Sequence, residues 1–375
     1  MFAQFGFSYP ESGAKLNMKI LFIVPYSVDS APSQRFRFEQ YFTLISSFGH
    51  EVCVAPFQRQ QHWQVFYRNG QSIKKALLIF TGSMRRVGLL FSAHHFTHVF
   101  IHREAVPIGP PWFEWLLAKV WRKKLIYDFD DAIWMTDKKS ENWLEKLLKW
   151  RGKVSTICQI SHCVSCGNAY LAAYAQQFNA RVVINPTTID TEFVHNPVLW
   201  PSRITQTNVI TIGWTGTRTT LKYLQPFLPV FYQLQRRFQN IRFLIIADQN
   251  PGFENPAIEF KEWGLETEIR DLAQIDIGIM PLPDDEWSKG KCGFKLLQYM
   301  ALGIPCVASA VGENRVIVNG KNGRLATDEN SWMAQLSELI SDPGLRKEMG
   351  VIGRRFVIDH YSVKSNSENF FSLFD

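Results

Sequence analysis

The stretch from Ile279 to Arg315 constrains the fold more than any other part of the chain. Ile279-Met280-Pro281-Leu282-Pro283 is a short apolar run that enters an acidic loop, Asp284-Asp285-Glu286. From about Cys292 the pattern turns helical, with Phe294, Leu296, Leu297, Met300 and Ala301 recurring at the spacing of one buried face. Gly303 supplies a C-cap, and Pro305 follows where a helix cannot continue. Pro305-Cys306-Val307-Ala308-Ser309 is then a second short apolar strand, closed by a glycine loop. Strand, loop, helix, strand is the building block of a doubly wound α/β sheet. Ligands of such sheets sit at the carboxyl ends of strands, beside helix N-termini. Lys289, Lys291 and Lys295 crowd this helix start, against the positive end of the helix dipole. Two readings are open: solvated surface lysines, or a clamp for a diphosphate.

This stretch resembles the donor-binding signature of glycosyltransferase family 4, a large group of retaining GT-B enzymes. That family carries a pair of glutamates here, the second opening Glu-Ala-Met-Ala before a Gly-x-Pro strand. In this chain Gly290 and Gln298 occupy the two glutamate places, while the frame from Gly293-Phe294 to Gly303-Ile304-Pro305 matches. A bacterial branch reading Lys-x-x-Glu/Gln-Tyr-Met-Ala is closer still, and Lys295 with Gln298-Tyr299-Met300-Ala301 follows it. The resemblance implies an α/β GT-B fold: two Rossmann-like domains with a deep interdomain cleft. It implies an acceptor domain over 18–200 and a nucleotide-sugar domain over 201–375, whose last helix crosses back to the first domain. Residues 1–17 are expected to be an N-terminal extension, because they show no basic start, no apolar core and no periodic pattern.

A chain of 375 residues defaults to two domains. No apolar run approaches eighteen residues, so no membrane-spanning helix is expected. The six cysteines are scattered, which suits a reducing, cytoplasmic compartment. Cys163-Val164-Ser165-Cys166 is a C-x-x-C, with a buried structural strand and a redox or metal pair as its two readings. The net charge of +7 lies wholly in the first two hundred residues. Such a surplus can meet an acidic ligand, an anionic membrane or nucleic acid. No nucleic-acid-binding motif is present in the sequence, which argues against the last.

In the first half, Lys19–Val24 reads as a buried strand, but the following loop, Pro25 to Pro32, has no glycine. A nicotinamide or flavin fingerprint needs glycines there. A helix from about Ser33 to Phe48 carries Arg35 and Arg37 in its first turn. They read either as surface charge or as an acceptor- or phosphate-facing pair. The same Ser-x-Arg-x-Arg pattern resembles this helix start in the bacterial branch. Strands at His98–His102 and Lys124–Asp128 end in Arg103-Glu104 and Phe129-Asp130-Asp131. His102 reads as an acceptor or donor contact or as a structural histidine, and Arg103 is placed on the acceptor side. The aspartates Asp128, Asp130 and Asp131 repel one another unless something holds them. A metal, a sugar hydroxyl or neighbouring arginines, and a helix cap are the open readings, and Asp130 and Asp131 are carried as catalytic candidates. Aromatic and basic residues mix over Trp63–Phe96 and Pro111–Lys124, including Val65, Phe66, Tyr67, Lys74, Lys75, Arg85 and Arg86. That mixture suits a helix lying on an anionic membrane or an ordinary core helix with a charged outer face.

In the second half, Val209–Thr217 is a strand entering a glycine loop, with a helix expected from about Thr219. Gly216 lets backbone approach a ligand, with Thr217 beside it, and Arg218 and Lys222 share one face. The resemblance assigns a donor-diphosphate clamp to Lys295, helped by Lys291 or Arg218. It places Gly293, Phe294, Met280, Leu282 and Glu313 around the donor and gives Gln298 the ribose hydroxyls in place of a glutamate. It implies transfer of a glycosyl unit, with retention, from a nucleotide-sugar to a glycan or lipid-linked acceptor in cell-surface polysaccharide biosynthesis. No metal or other cofactor is called for in that scheme. The expected location is the cytoplasm, with a peripheral position on the inner membrane face as the alternative. Two rivals stand beside this reading: a GT-B sugar-nucleotide epimerase or hydrolase, and a non-catalytic GT-B subunit, for which the two missing acids argue.

Overall fold

A computed structural model describes residues 17–59, 65, 70–136, 142–200 and 209–375. The expectation for residues 1–17 falls, but for Asn17, outside the described residues, as do Trp63, Phe66 and Tyr67. The chain divides into two compact units, one of Met1–Thr187 with Asn366–Asp375 and one of Thr188–Ser365.

Unit 1 is built on a six-stranded parallel sheet: β1 (Lys19–Val24), β2 (Glu51–Pro56), β3 (His98–His102), β4 (Lys124–Phe129), β5 (Cys163–Cys166) and β6 (Val182–Ile184), in the order β2-β1-β3-β4-β5-β6. Continuous apolar runs make these strands, because both faces of a parallel sheet are covered. Phe22, Phe38 and Phe100 pack within 5.5 Å of one another, centroid to centroid. The tail completes this core: Tyr41 stacks on Phe370 at 4.1 Å, and Arg181 binds the backbone carbonyls of Ser372 and Asp375. Cys163 and Cys166 lie buried on β5, and burial pushes the Cys163 thiol up to about 11. That is the structural strand of the two readings.

Unit 2 carries β7 (Ile210–Gly216), β8 (Ile241–Ala247), β9 (Ile258–Glu262), β10 (Ile277–Met280), β11 (Cys306–Ser309) and β12 (Arg324–Ala326), all parallel. Their order is β12-β11-β10-β7-β8-β9. The order reverses between β7 and β10, and that switch point is where doubly wound sheets bind ligands. Phe227, Phe231, Phe243 and Trp332 fill one face of the sheet.

Three sequence expectations differ from the structure. The unit boundary falls at Thr187/Thr188 and not at residue 200. Ile189 pairs with Ser362, and His195 is hydrogen-bonded within unit 2, so this stretch is tied to the second core. The helix over Ser33–Phe48 is broken into Pro32–Arg35, a 3-10 turn at Glu39–Tyr41 and Phe42–Ser47. The helix at Thr219 is two 3-10 turns ahead of a helix over Leu228–Arg237. In addition, Ser72–His95 is long and apolar enough to cross a membrane by length and composition, although basic and polar residues interrupt its apolar run.

Candidate functional site

The switch point of unit 2 is assembled by the helix Phe294–Ala301. Its Tyr299 is buried, and the phenol oxygen accepts from Thr215 N on β7 at 3.1 Å and donates to Ile279 O on β10 at 3.4 Å. One side chain thus joins the two strands that flank the crevice. The strands leave room for it with a glycine: a Cβ on Gly278 would stand 2.4 Å from the Tyr299 ring. One turn earlier on the same helix is Lys295, and its Nζ lies 5.4 Å from the centroid of the Trp214 ring. Trp214 is buried on β7. Lys295 is therefore carried to the carboxyl end of β7, the end at which doubly wound sheets bind ligands.

The loops around this helix start are tightly fixed. Gly293, with φ +65°, starts the helix from the left-handed region, and a Cβ there would collide with Ile317 Cδ1 at 2.2 Å. Gly312, with φ +48°, lies against the backbone of Lys289, so the loop after β11 meets the loop before the helix. Ser309 Oγ accepts from Leu282 N at 2.9 Å, and Asn314 Nδ2 donates to Ser309 O at 3.0 Å. Glu313 stands half-buried on that loop, and burial pushes its carboxyl up to about 7. A carboxyl poised near neutrality at a strand end is a candidate acid, base or sugar contact. Met280 is buried at the end of β10, while Leu282, Phe294 and Thr217 are half-buried.

Several residues assigned from sequence take different partners. Gln298 is buried, and its amide donates to Glu268 Oε1 at 3.3 Å and lies 3.3 Å from His195 Nε2. Its hydrogen bonds go to partners within unit 2. Arg218 is bound to Asp248, with Nε donating to Oδ2 at 2.7 Å and the backbone N to Oδ1 at 2.6 Å. Gly216 is needed for packing: a Cβ there would stand 2.2 Å from the Trp214 ring. Lys291 lies over the Trp287 ring at 5.1 Å.

In unit 1 the strand ends hold two layers of charge. The inner layer is Asp128, fully buried, with His102 Nδ1 at 2.7 Å and Ser165 Oγ donating at 2.6 Å. Arg37, 1% exposed, closes it with an ion pair to Asp128 and a hydrogen bond to Asn185 O. Burial alone would raise the Asp128 pKa, but Arg37 and His102 outweigh it and hold the carboxyl well below its usual range. Arg37 thus faces the interior and not an acceptor, because a buried carboxylate needs its charge. The outer layer is Arg103, whose Nε donates to Asp130 at 2.8 Å and whose Nη2 donates to Asp131 at 3.1 Å. Of the readings open for those aspartates, the neighbouring arginine is the one in contact. Arg103 holds a φ of +60°, uncommon for a residue with a side chain. His102 Nε2 is buried without a hydrogen-bond partner, 3.9 Å from Asp130 Oδ1. Arg35 is half-buried over the Phe36 ring at 4.9 Å. Among the described residues, no group of three histidines, cysteines or acids could hold a metal ion.

Residues 208–342 match the family model for glycosyl transferases group 1. The chain is similar in structure to sucrose-phosphate synthase from Thermosynechococcus elongatus, at 12% identity and a TM-score of 0.69, covering 95% of this chain and 98% of that one. It is similar to a glycosyltransferase from Rickettsia africae at 13% identity and a TM-score of 0.68, covering 96% and 98%. Anabaena HepE in complex with UDP-glucose is similar at 13% identity and a TM-score of 0.60, covering 95% and 99%. The fold is GT-B. No curated protein matches in sequence. The group 1 segment contains the whole β7–β12 sheet, and hence Lys295, Trp214 and Tyr299. Within this GT-B chain, the sequence pattern missed Trp214, Asp248, Glu268 and His195. Asp248 was within reach, since an acid directly after an apolar strand stands at a carboxyl end. Glu268 and His195 carry no local signal, because only the folded unit brings them to Gln298.

Proposed function

We propose that this protein is a glycosyltransferase that takes its sugar from a nucleotide-sugar bound by unit 2. The observation that carries this is Lys295 over Trp214 at the β7/β10 switch point, within a segment that matches group 1 glycosyl transferases. In the reaction, an acceptor hydroxyl forms a bond to the anomeric carbon, and the bond from that carbon to the diphosphate oxygen breaks. The acceptor proton goes to a base or to the departing phosphate. Charge then develops on the diphosphate, and a fixed cation placed there stabilises it more than it stabilises the ground state. Lys295 is that cation in our reading, with Lys291 as the second, and the scheme uses no metal. The neighbour HepE is bound to UDP-glucose, which supports a nucleotide-sugar as donor. Transfer with retention, a glycan or lipid-linked acceptor, and a place in surface polysaccharide assembly belong to the same proposal.

A second reading rests on the sugar-contact positions. Gly290 has no side chain, and Gln298 spends its amide on Glu268. A GT-B subunit that binds donor without turning it over would tolerate both. Thermal-shift screening against uridine, guanosine and adenosine diphosphate-sugars tests the donor proposal: one nucleotide should raise the melting temperature, and no shift with any of them would overturn it. Incubating the stabilising donor with candidate acceptors then separates transferase from binding subunit by release of the nucleoside diphosphate.

A further inference from the structure

The helix Ser72–Ser92 in unit 1 is covered along one face and bare along the other. Gly82, Arg86 and Leu90 are buried. Arg86 donates to the carbonyls of Val24 at 3.2 Å, Ala55 at 2.9 Å and Ala105 at 3.0 Å, at the carboxyl ends of β1 and β2 and in the loop after β3. A Cβ on Gly82 would stand 2.6 Å from the Phe57 ring, so the helix is seated closely there. The chain then enters β3 at His98, so the helix runs from the carboxyl edge of the sheet towards its other edge. Residues 72–81 accordingly extend past the carboxyl edge, by roughly 15 Å at the helical rise.

The face opposite Arg86 carries Ile73, Leu77, Phe80, Met84 and Phe91, all exposed, Ile73 by 87% and Phe91 by 76%. Their spacing of four, three, four and seven residues is that of a single helical stripe. Lys74 lies exposed beside the stripe, Arg85 flanks it half-buried, and exposed Arg59 is close enough to Arg85 to perturb it. A second bare apolar surface follows at Trp143, Leu147, Leu148 and Trp150. It hangs from the same loop after β3, because Gly109 N donates to Leu148 O at 2.8 Å.

Length and composition would let Ser72–His95 cross a bilayer. Arg86 prevents it, since crossing would tear that guanidinium from three carbonyls and leave it in hydrocarbon. A helix with one apolar face and flanking cations is built to lie in the plane of an interface. We propose that unit 1 docks on an anionic bilayer surface through the bare stripe of Ser72–Ser92, with the Trp143–Trp150 segment as a second foothold. Charge selects this occupant. The chain's basic surplus lies in its first two hundred residues, and anionic lipid attracts it. A second copy of the same face would instead set Lys74, Arg85 and Arg59 against their own kind. The inference concerns unit 1 alone and does not rest on the donor reading for unit 2.

Flotation of the full-length protein with vesicles tests it. The protein should float with phosphatidylcholine vesicles that contain phosphatidylglycerol, float poorly with phosphatidylcholine alone, and leave the anionic vesicles as salt rises. The double variant Leu77→Ser/Phe80→Ser should lose about a hundredfold in partitioning, because two large apolar side chains no longer enter the interface. Arg59→Glu/Lys74→Glu should float poorly even at low salt. Val351→Ser, an exposed apolar residue of unit 2, should float like the parent. Circular dichroism melting confirms that each variant is folded. Absence of flotation with anionic vesicles overturns the proposal, as does flotation untouched by the Leu77/Phe80 change. Dimerisation in sedimentation velocity that this change abolishes would likewise overturn it and assign the stripe to a second copy.

Discussion

Lys295 Nζ lies 5.4 Å above the Trp214 ring, and Trp214 is itself buried in β7. A flexible side chain is thereby held over a rigid platform at the point where the unit 2 sheet reverses its strand order. Cation–π contact of this kind favours one position of an otherwise mobile ammonium.

Lys295→Ala should weaken binding of the stabilising nucleotide-sugar by about tenfold to a hundredfold, the loss of one charge-assisted hydrogen bond of about 1.5–3 kcal/mol. Its melting temperature without ligand should stay close to the parent's, because Lys295 is only half-buried. Isothermal titration calorimetry reads the change, and an unaltered dissociation constant would refute the clamp.

Gly216→Ala should couple stability to binding. The new methyl would enter the Trp214 ring, and overpacking of this kind typically costs about 1–3 kcal/mol. Displacing the ring also removes the platform beneath Lys295. Urea denaturation should show the loss of stability, and the same calorimetric titration should show weaker donor binding. A stable variant with parental affinity would mean that the ring is not fixed as described.

Arg37→Ala should be far more destabilising than Lys295→Ala. It strands Asp128, which is fully buried, without its cation, and breaking a buried pair from one side costs about 3–5 kcal/mol. The melting temperature is the measurement. A change within error would mean that Asp128 is not ionised in the folded chain.

Glu313 predicts a pH dependence of stability. Its folded pKa of about 7 lies above the ordinary 4.5 because burial disfavours the charged form. The folded state therefore binds this proton more tightly than the unfolded state. Its contribution is fully present below about pH 4.5 and is lost as the pH rises through 7. Glu313→Gln should match the parent at pH 4 and exceed it at pH 8. A gain of ~1 kcal/mol would appear as about 2–4 °C in the melting of a unit the size of Thr188–Ser365. Parallel melting curves across that range would refute the assignment.

Much of the fold was readable because parallel strands need apolar residues on both faces and glycine or proline at their ends. The helix Phe294–Ala301 shows this: its buried face follows the sequence spacing, and Gly303 follows its end at φ +71°. Lys295 was readable from its place at a helix start after a strand. Arg37 and Gln298 were not, because their orientation is decided by partners far along the chain. Arg37 answers to Asp128 and Asn185, and Gln298 to Glu268 and His195. The helix breaks after Arg35, and Arg37 beyond the break is turned inward to a buried carboxylate that local periodicity cannot register. The bare stripe of Ser72–Ser92 was half-readable, since its mixture of aromatic and basic residues was evident but Arg86 proved to be its buried anchor.

The tail residues Asn366–Asp375 have a consequence for how the protein is made. Phe370 and Phe374 sit against Tyr41 and Phe100, and Arg181 awaits the carbonyls of Ser372 and Asp375. During synthesis, the larger segment of unit 1 emerges from the ribosome before unit 2, yet part of its core is delivered by Asn366–Asp375. All of unit 2 is translated in between. The nascent chain must therefore carry an unfinished apolar seam for as long as unit 2 is being made, and a ribosome that stalls before Asn366 leaves unit 1 incomplete.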